Sequence, residues 1–269
     1  MLELMWAIVL GVVEGVTEFL PISSTGHLLL CQRWMGIDLE NDPFWRLFAI
    51  FIQVGAILAV VVYFRARLWA LVRTTRAPRR GQALSPLWLV LLATVPALVV
   101  GKLADDWVDA HMGTPLVIAL ALGIGGVLMI LIEKFRPAAR TERMEQMTLG
   151  QGMFVGCAQV LAILFPGTSR SAATIMGGLA AGMSRHAAAE FSFFLAIPAM
   201  FAASGYKLLT TKAPLNGHNT LLLTIGTLVS FLVAWGVIAG FMAFIRRNSF
   251  TPFAVYRIVL AVIVILVTR

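Results

Sequence analysis

The chain has 269 residues, of which 59% are apolar and only 13% charged, with a mean hydropathy of +0.89. A water-soluble domain is about 45–50% apolar and about 25% charged, so this composition excludes a soluble globule, a disordered chain and a coiled coil, and indicates a membrane protein. The net charge of +8 sits in short stretches between apolar runs, which the positive-inside bias of membrane proteins accounts for without invoking nucleic acid.

The first element, approximately residues 3–36, is apolar but broken by the segment FLPISSTGHLLL. Its leading part, MLELMWAIVLGVVEGVTEF, has no cationic leader or obvious cleavage site and reads as part of the mature chain. A full-length apolar run follows at approximately 44–64. Six arginines come next: Arg65, Arg67, Arg73, Arg76, Arg79 and Arg80. Runs at 86–103 and 115–132 flank a loop near 102–113 that holds Lys102, Asp105, Asp106 and Asp109; Lys134, Arg136, Arg140 and Arg143 follow. Region 149–185 is again apolar and broken, here by ILFPGTSRSAAT. Runs at 190–206, 220–245 and 251–268 complete the chain, with Lys207 and Lys212 after the first and Arg246 and Arg247 after the second. Cys31 and Cys157 lie in apolar stretches without a CxxC partner and read as free, buried thiols.

Each long run approaches the length a helix needs to cross about 30 Å of hydrocarbon. The two broken regions cannot cross comfortably, and lipid cannot satisfy the backbone that a break exposes. The expected fold is therefore an all-α polytopic membrane protein with about six transmembrane helices and two re-entrant helix–loop–helix hairpins. Counting crossings puts the three arginine-rich loops on one side, which the positive-inside rule makes cytoplasmic, with both termini outside.

The two broken regions also align with each other. GVVEGVTEFLPISST (Gly11 to Thr25) lies over GCAQVLAILFPGTSR (Gly156 to Arg170) without a gap, so Gly11 meets Gly156, Glu14 meets Gln159, Pro21 meets Pro166 and Ser24 meets Ser169. This divides one membrane domain into repeats of about 1–135 and 146–269. Three crossings per repeat invert the second copy relative to the first, which puts the functional site near the midplane where the breaks meet.

Glu14 and Glu18, one helical turn apart inside an apolar segment, can offer carboxylate oxygens to Mg²⁺ or Ca²⁺, with substrate oxygens and water completing the shell. A surface helix with two solvated acids is the plainer alternative. Ser24 or Thr25 could serve as nucleophile with His27 as proton acceptor, although SSTGH also suits a helix cap. In PGTSRSAAT, the Pro-Gly break opens a helix whose first N–H groups favour an anion, and Arg170 adds a bidentate phosphate clamp unless it pairs with a buried glutamate. Glu190, Ser192, Gln53 and Arg257 are secondary candidates, the last two with a structural leaning.

These residues resemble the undecaprenyl-diphosphate phosphatases once called bacitracin-resistance proteins. GVVEGVTEFLPISSTGH is similar to that family's glutamate-rich motif, PGTSRSAAT to its PGxSRSxxT motif, and EFSFFLAIP and FTPFAVYR to further blocks; Ala172 departs from an expected glycine. The resemblance implies metal-dependent removal of the terminal phosphate of undecaprenyl diphosphate. That reaction recycles the lipid carrier for peptidoglycan and withdraws the target of bacitracin. It implies Glu14 and Glu18 as metal and catalytic acids, Ser24 as nucleophile, His27 as its proton partner and Arg170 as phosphate clamp. Thr25, Gly167, Ser169, Ser171 and Thr174 would form the surrounding phosphate-binding loops. It also implies an active site on the outer side of the bacterial cytoplasmic membrane. Partners are then a polyprenyl diphosphate and membrane lipids, with no nucleic acid; the oligomeric state is open, a homodimer included. An inverted-repeat transporter or carrier flippase is the rival reading.

Overall fold

The computed structural model describes residues 1–37, 42–74, 84–210 and 216–268. Among them the regular structure is helical, apart from one isolated bridge between Thr141 and Met183. The first broken region forms α1 (Leu2–Thr17) and α2 (Ser24–Met35). Then come α3 (Pro43–Tyr63), α4 (Arg65–Thr74), α5 (Pro86–His111) and α6 (Pro115–Phe135). A 3-10 turn at Met144–Gln146 leads into the second broken region, α7 (Leu149–Leu164) and α8 (Arg170–Ala180). The chain closes with α9 (Arg185–Thr210), α10 (Gly217–Phe244) and α11 (Thr251–Thr268).

Six of these, α3, α5, α6, α9, α10 and α11, are long and apolar enough to cross a bilayer, making this a multi-pass membrane protein. At 16 residues, α1 and α7 each fall short of a full crossing. Helix starts are well signalled. Proline stands at the first position of α3, α5 and α6, and Asp42, Thr114 and Asn216 accept hydrogen bonds from the first free N–H groups of α3, α6 and α10.

Three local features differ from the sequence reading. The arginine stretch after α3 begins as a helix, α4, because Arg, Leu and Ala are good helix formers and its register needs no bilayer length. Helix α5 runs on to His111, so Lys102, Asp105 and Asp106 lie in its last turns rather than in a loop. Cys157 is exposed on α7 instead of buried, and Cys31 is half-buried; both are free thiols. Arg76, Arg79, Arg80 and Lys212 lie outside the described residues.

Helix α9 is the most enclosed of the six crossings, and α5, α6 and α11 are the least enclosed. Those outer helices expose stripes at helical spacing, such as Leu120, Ile124, Val127 and Leu131 on α6. In water such a face would be a large exposed apolar patch; in lipid it is the expected surface.

The packing crosses between halves. Helix α1 lies against α10, and α7 against α5, so each re-entrant helix rests on a crossing from the other half. Glycine permits both contacts. A Cβ at Gly11 would stand 2.6 Å from the Gly226 carbonyl oxygen, and one at Gly156 would land on the Ala93 carbonyl oxygen. Gly156→Ala should therefore lower stability by about 1–3 kcal/mol through overpacking. Gly236→Ala, where nothing lies within 4 Å, should be neutral or gain up to about 1 kcal/mol from helix propensity. Melting temperatures of the two variants in detergent check the contrast.

Ion pairs tie the arginine-rich end together. Arg67 of α4 meets Glu190 of α9 at 2.8 Å and also pairs with Glu145; Arg185 pairs with Glu133. Burial alone would lower the Arg67 guanidinium, but the two carboxylates outweigh it and raise it above its ordinary value.

Candidate active site

The two hairpins enter from opposite ends of the bundle. The Glu3–His218 contact holds the start of α1 beside the start of α10. Gln151, at the start of α7, bonds Thr141 and the Ala181 carbonyl at the arginine-rich end. Their breaks then meet inside.

Each break ends on a serine in a backbone region that L-residues rarely adopt: Ser23 at φ 72 and Ser169 at φ 70. Such conformations cost roughly 1–3 kcal/mol each and persist only where the surroundings enforce them. Both serines cap the following helix, accepting from Gly26 N at 3.4 Å and Ala172 N at 3.3 Å. This corrects the register at the tips. The gapless match holds through Pro21 and Pro166, but the second break is one residue longer, so Ser23 corresponds to Ser169 and Ser24 to Arg170.

The corrected register carries the chemistry. Ser24 and Arg170, the first residues of α2 and α8, both donate to one carboxylate. Ser24 Oγ lies 2.7 Å from Glu18 Oε2, and Arg170 Nη2 lies 3.2 Å from Glu18 Oε1. Arg170 also bonds the Ser192 carbonyl at 3.3 Å and stacks over Phe19 at 5.3 Å. Its Nε has no hydrogen-bond partner, and neither has Glu14 Oε2, although both atoms are buried. A donor and an acceptor left open in one apolar setting are what an absent charged ligand would satisfy.

A hollow of about 520 Å³ is lined by Glu14, Ser24, Thr25 and Pro166 from the hairpins, with Glu18 and Arg170 behind Ser24 rather than in its lining. Its remaining wall includes Arg46 and Gln53 of α3, Lys207 of α9 and Gln32 of α2. Arg46 and Lys207 sit in the halves of α3 and α9 away from the arginine-rich end. Arg46, Lys207, Gln32 and the hollow-facing role of Gln53 were missed in the sequence; two cations on the otherwise cation-poor side were the available signal.

His27 is not on Ser24. Its Nδ1 lies 2.7 Å from the Ser23 carbonyl, and its Nε2 lies 2.7 Å from Tyr256 Oη, with the two rings stacked at 7°. A carbonyl can only accept, so Nδ1 carries a proton, and in the neutral ring Nε2 accepts from the tyrosine. The side chain within hydrogen-bond reach of Ser24 Oγ is instead Glu18. Tyr256 had no sequence signal beyond its place in FTPFAVYR.

Three of the expected phosphate-binding residues are spent on structure instead. Ser171, fully buried, donates to the Leu20 carbonyl at 2.8 Å and touches Ser169 Oγ at 2.9 Å. Thr174, also fully buried, bonds Ser192 Oγ at 2.6 Å and the Arg170 carbonyl at 2.8 Å. Gly167, at φ +97, packs where a Cβ would meet the Ile118 carbonyl oxygen at 2.6 Å. Each faces a different neighbour: Ser171 the first hairpin, Thr174 α9 and Gly167 α6, and none of the three lines the hollow.

Arg257 of α11 holds the two breaks together. It is fully buried, and its guanidinium donates to the Pro21 carbonyl at 3.4 Å and the Gly167 carbonyl at 3.2 Å, one from each break. Further bonds reach Ala121 and Leu122 of α6. Ser192 joins the second hairpin to α9, whereas Glu190 pairs outward with Arg67.

No group of three or more His, Cys, Asp or Glu gathers among the described residues, which therefore supply no closed metal cage by themselves. The open Glu14 oxygen beside Glu18 does suit a hard cation that draws its other ligands from substrate and water.

The family model described as bacitracin resistance protein BacA matches residues 7–263. The chain is similar to the undecaprenyl-diphosphatase of Koribacter versatilis, 42% identical over 275 residues and 96% of each chain. It is similar also to that of Maridesulfovibrio salexigens, 41% identical over 98% of each. The counterpart from Clostridium tetani is 44% identical, covering 99% of this chain and 97% of its own.

Proposed function

This chain belongs to the bacitracin resistance protein BacA family, and from that premise we propose that it is an undecaprenyl-diphosphate phosphatase, releasing inorganic phosphate and returning the monophosphate lipid carrier. The observation that carries the proposal is the meeting of Ser24 and Arg170 on Glu18, at the tips of two hairpins and beside a hollow.

The substrate joins a long apolar chain to a multiply charged head. The head enters the hollow and the chain lies among the lipid-facing helices. Ser24 Oγ attacks the terminal phosphorus in line, and its proton passes to Glu18. The bond to the bridging oxygen breaks, and the lipid monophosphate leaves. Water then cleaves the phosphoserine to inorganic phosphate. Arg170, with its free Nε–H, stabilises charge on the transferred phosphoryl group. His27 and Tyr256 hold the Ser23 turn that aims Ser24. Glu14, with Glu18, would hold a Mg²⁺ or Ca²⁺ ion, which when bound neutralises diphosphate oxygens.

The hollow lies at the bundle end opposite Arg65, Arg136 and Arg246. With the arginine-rich end cytoplasmic, this supports catalysis on the outer face of the bacterial cytoplasmic membrane. Clearing the diphosphate lipid there removes the form that bacitracin binds, which supports a part in resistance to it and in carrier supply for peptidoglycan.

The test is phosphate release from a short-chain prenyl diphosphate in detergent, with and without a divalent ion. The wild type should release phosphate only with the ion, and a ³²P label should be trapped on the protein. Ser24→Ala should lose both, by at least about a hundredfold in rate. Normal turnover by Ser24→Ala would move the attack to water. A chain that binds the lipid without releasing phosphate would be a transporter instead.

A further inference from the structure

The arginine-rich end of the bundle has a second concavity, which shares no lining residue with the hollow at Glu14. Of about 610 Å³, it is lined by Arg136 at the end of α6, Glu142 and Arg143 before the 3-10 turn, Arg185 and His186 at the start of α9, and Arg246 after α10. The positive-inside bias explains why arginines lie at this end, but not why four converge from separate segments on one concavity.

Local acids balance them only in part: Glu142 is the one carboxylate in the lining, and Glu145, paired with Arg67, lies near Arg143. Arg136, at 3.9 Å, and Arg185 share the single carboxylate of Glu133, while Arg143 and Arg246 form no ion pair among the described residues. The walls are also fixed rather than loose. Arg140 N and Thr141 N donate to the Gly182 carbonyl at 2.8 and 3.3 Å, Ser184 N donates to Thr141 O at 2.9 Å, and Ser184 Oγ donates to Glu142 O at 3.3 Å. Guanidinium groups held facing one space repel one another, and an anion there relieves that repulsion at little ordering cost. Planar forks that can bond two oxygens at once match a phosphate. Beside Arg136, Phe135 is 71% exposed at the end of the lipid-facing stripe of α6, with the Lys134 ammonium 5.3 Å above its ring. The lining residue Arg136 thus directly follows the lipid-facing stripe of α6.

We propose that this concavity is a binding site for the phosphate of an anionic phospholipid headgroup. It is independent of the catalytic reading: the site lies at the other end of the bundle and uses none of its residues.

The experiment is native mass spectrometry of the full detergent-purified chain with phosphatidylglycerol, phosphatidylcholine or inorganic phosphate, run on the wild type, Arg143→Gln/Arg246→Gln and Arg65→Gln/Arg73→Gln. The first double variant removes two exposed arginines of the concavity. The second removes two exposed arginines of the neighbouring α4, as a control for surface charge. Phosphatidylglycerol should be retained selectively by the wild type and the control. The concavity variant should bind it roughly 20- to 30-fold more weakly, at about fivefold per cation near an anionic group. Phosphate release should be unchanged in both variants. Equal retention by all three proteins, or an equal loss in the α4 control, overturns the proposal. Protection by inorganic phosphate alone, lost in the concavity variant, overturns the lipid as source and leaves a free-phosphate site.

Discussion

Glu18→Gln should lower phosphate release by about a thousandfold or more, within the range that a positioned proton acceptor contributes. The carboxylate does two things at once, accepting from Ser24 on one oxygen and from Arg170 on the other. An amide has one acceptor oxygen and one donor nitrogen, so a glutamine must face one of those donors with its own N–H. It also cannot take up the serine proton. Removing the charge leaves Arg170 with less compensation in an apolar setting, and breaking a buried pair in this way costs about 3–5 kcal/mol. The melting temperature should therefore fall with the rate. Glu3→Gln, at an exposed pair with His218, should leave both unchanged. Phosphate release and thermal unfolding in the same detergent measure the two effects. Retention of a tenth of wild-type turnover by Glu18→Gln would remove Glu18 from proton transfer.

Arg257→Met should have the second largest effect, acting through position. Methionine keeps the apolar bulk of the side chain but leaves the Pro21 and Gly167 carbonyls without their donor. Two buried acceptors left unsatisfied cost about 1–3 kcal/mol each, partly offset by the charge no longer held out of water. The Ala121 and Leu122 carbonyls lie in the interior of α6, where intrahelical bonds still serve them. The hairpin tips would lose the tie that sets their separation. A displacement of about 1 Å at a reacting centre can cost about a hundredfold, so kcat should drop about that much in the folded fraction. KM should change little, because Arg257 does not line the hollow. Arg257→Lys, retaining charge but not the planar fork, should recover stability more than kcat. A fall in melting temperature with normal kcat would make Arg257 a purely structural residue.

Much of this arrangement was legible before any coordinates. The six crossings follow from uninterrupted apolar length. The two hairpins follow from Pro21 and Pro166 with their flanking Ser, Thr and Gly, since a break in lipid must be buried. Glu14, Glu18, Ser24 and Arg170 could be singled out because each is expensive in an apolar run unless something meets it.

What was not legible is instructive. The gapless alignment put Ser24 over Ser169, and nothing in it revealed the extra residue in the second break; the shared φ of Ser23 and Ser169 shows it. His27 stood close enough in sequence to serve Ser24, but its ring turns to Ser23 O and Tyr256, leaving Glu18 as the partner. Ser171 and Thr174 had the right side chains for a phosphate loop, yet their hydroxyls are taken by Leu20 O and Ser192 Oγ, which only the packing of α8 brings close. Lys207 reads as a charge just after a span and Arg46 belongs to no motif, until α3 and α9 bring them to the same hollow.

The amino-acid sequence by itself determined which segments cross the bilayer, where the two interruptions fall and which reactive groups they carry. Those properties depend on hydropathy and backbone satisfaction, which are summed along the chain and need no knowledge of distant contacts. The tertiary structure decided which donor meets which acceptor. The encounter of Arg170 with Glu18 spans most of the chain, and it depends on α1 and α7 settling against α10 and α5 at Gly11 and Gly156. Close packing of that kind is set by shape at the contact, and no local pattern encodes it.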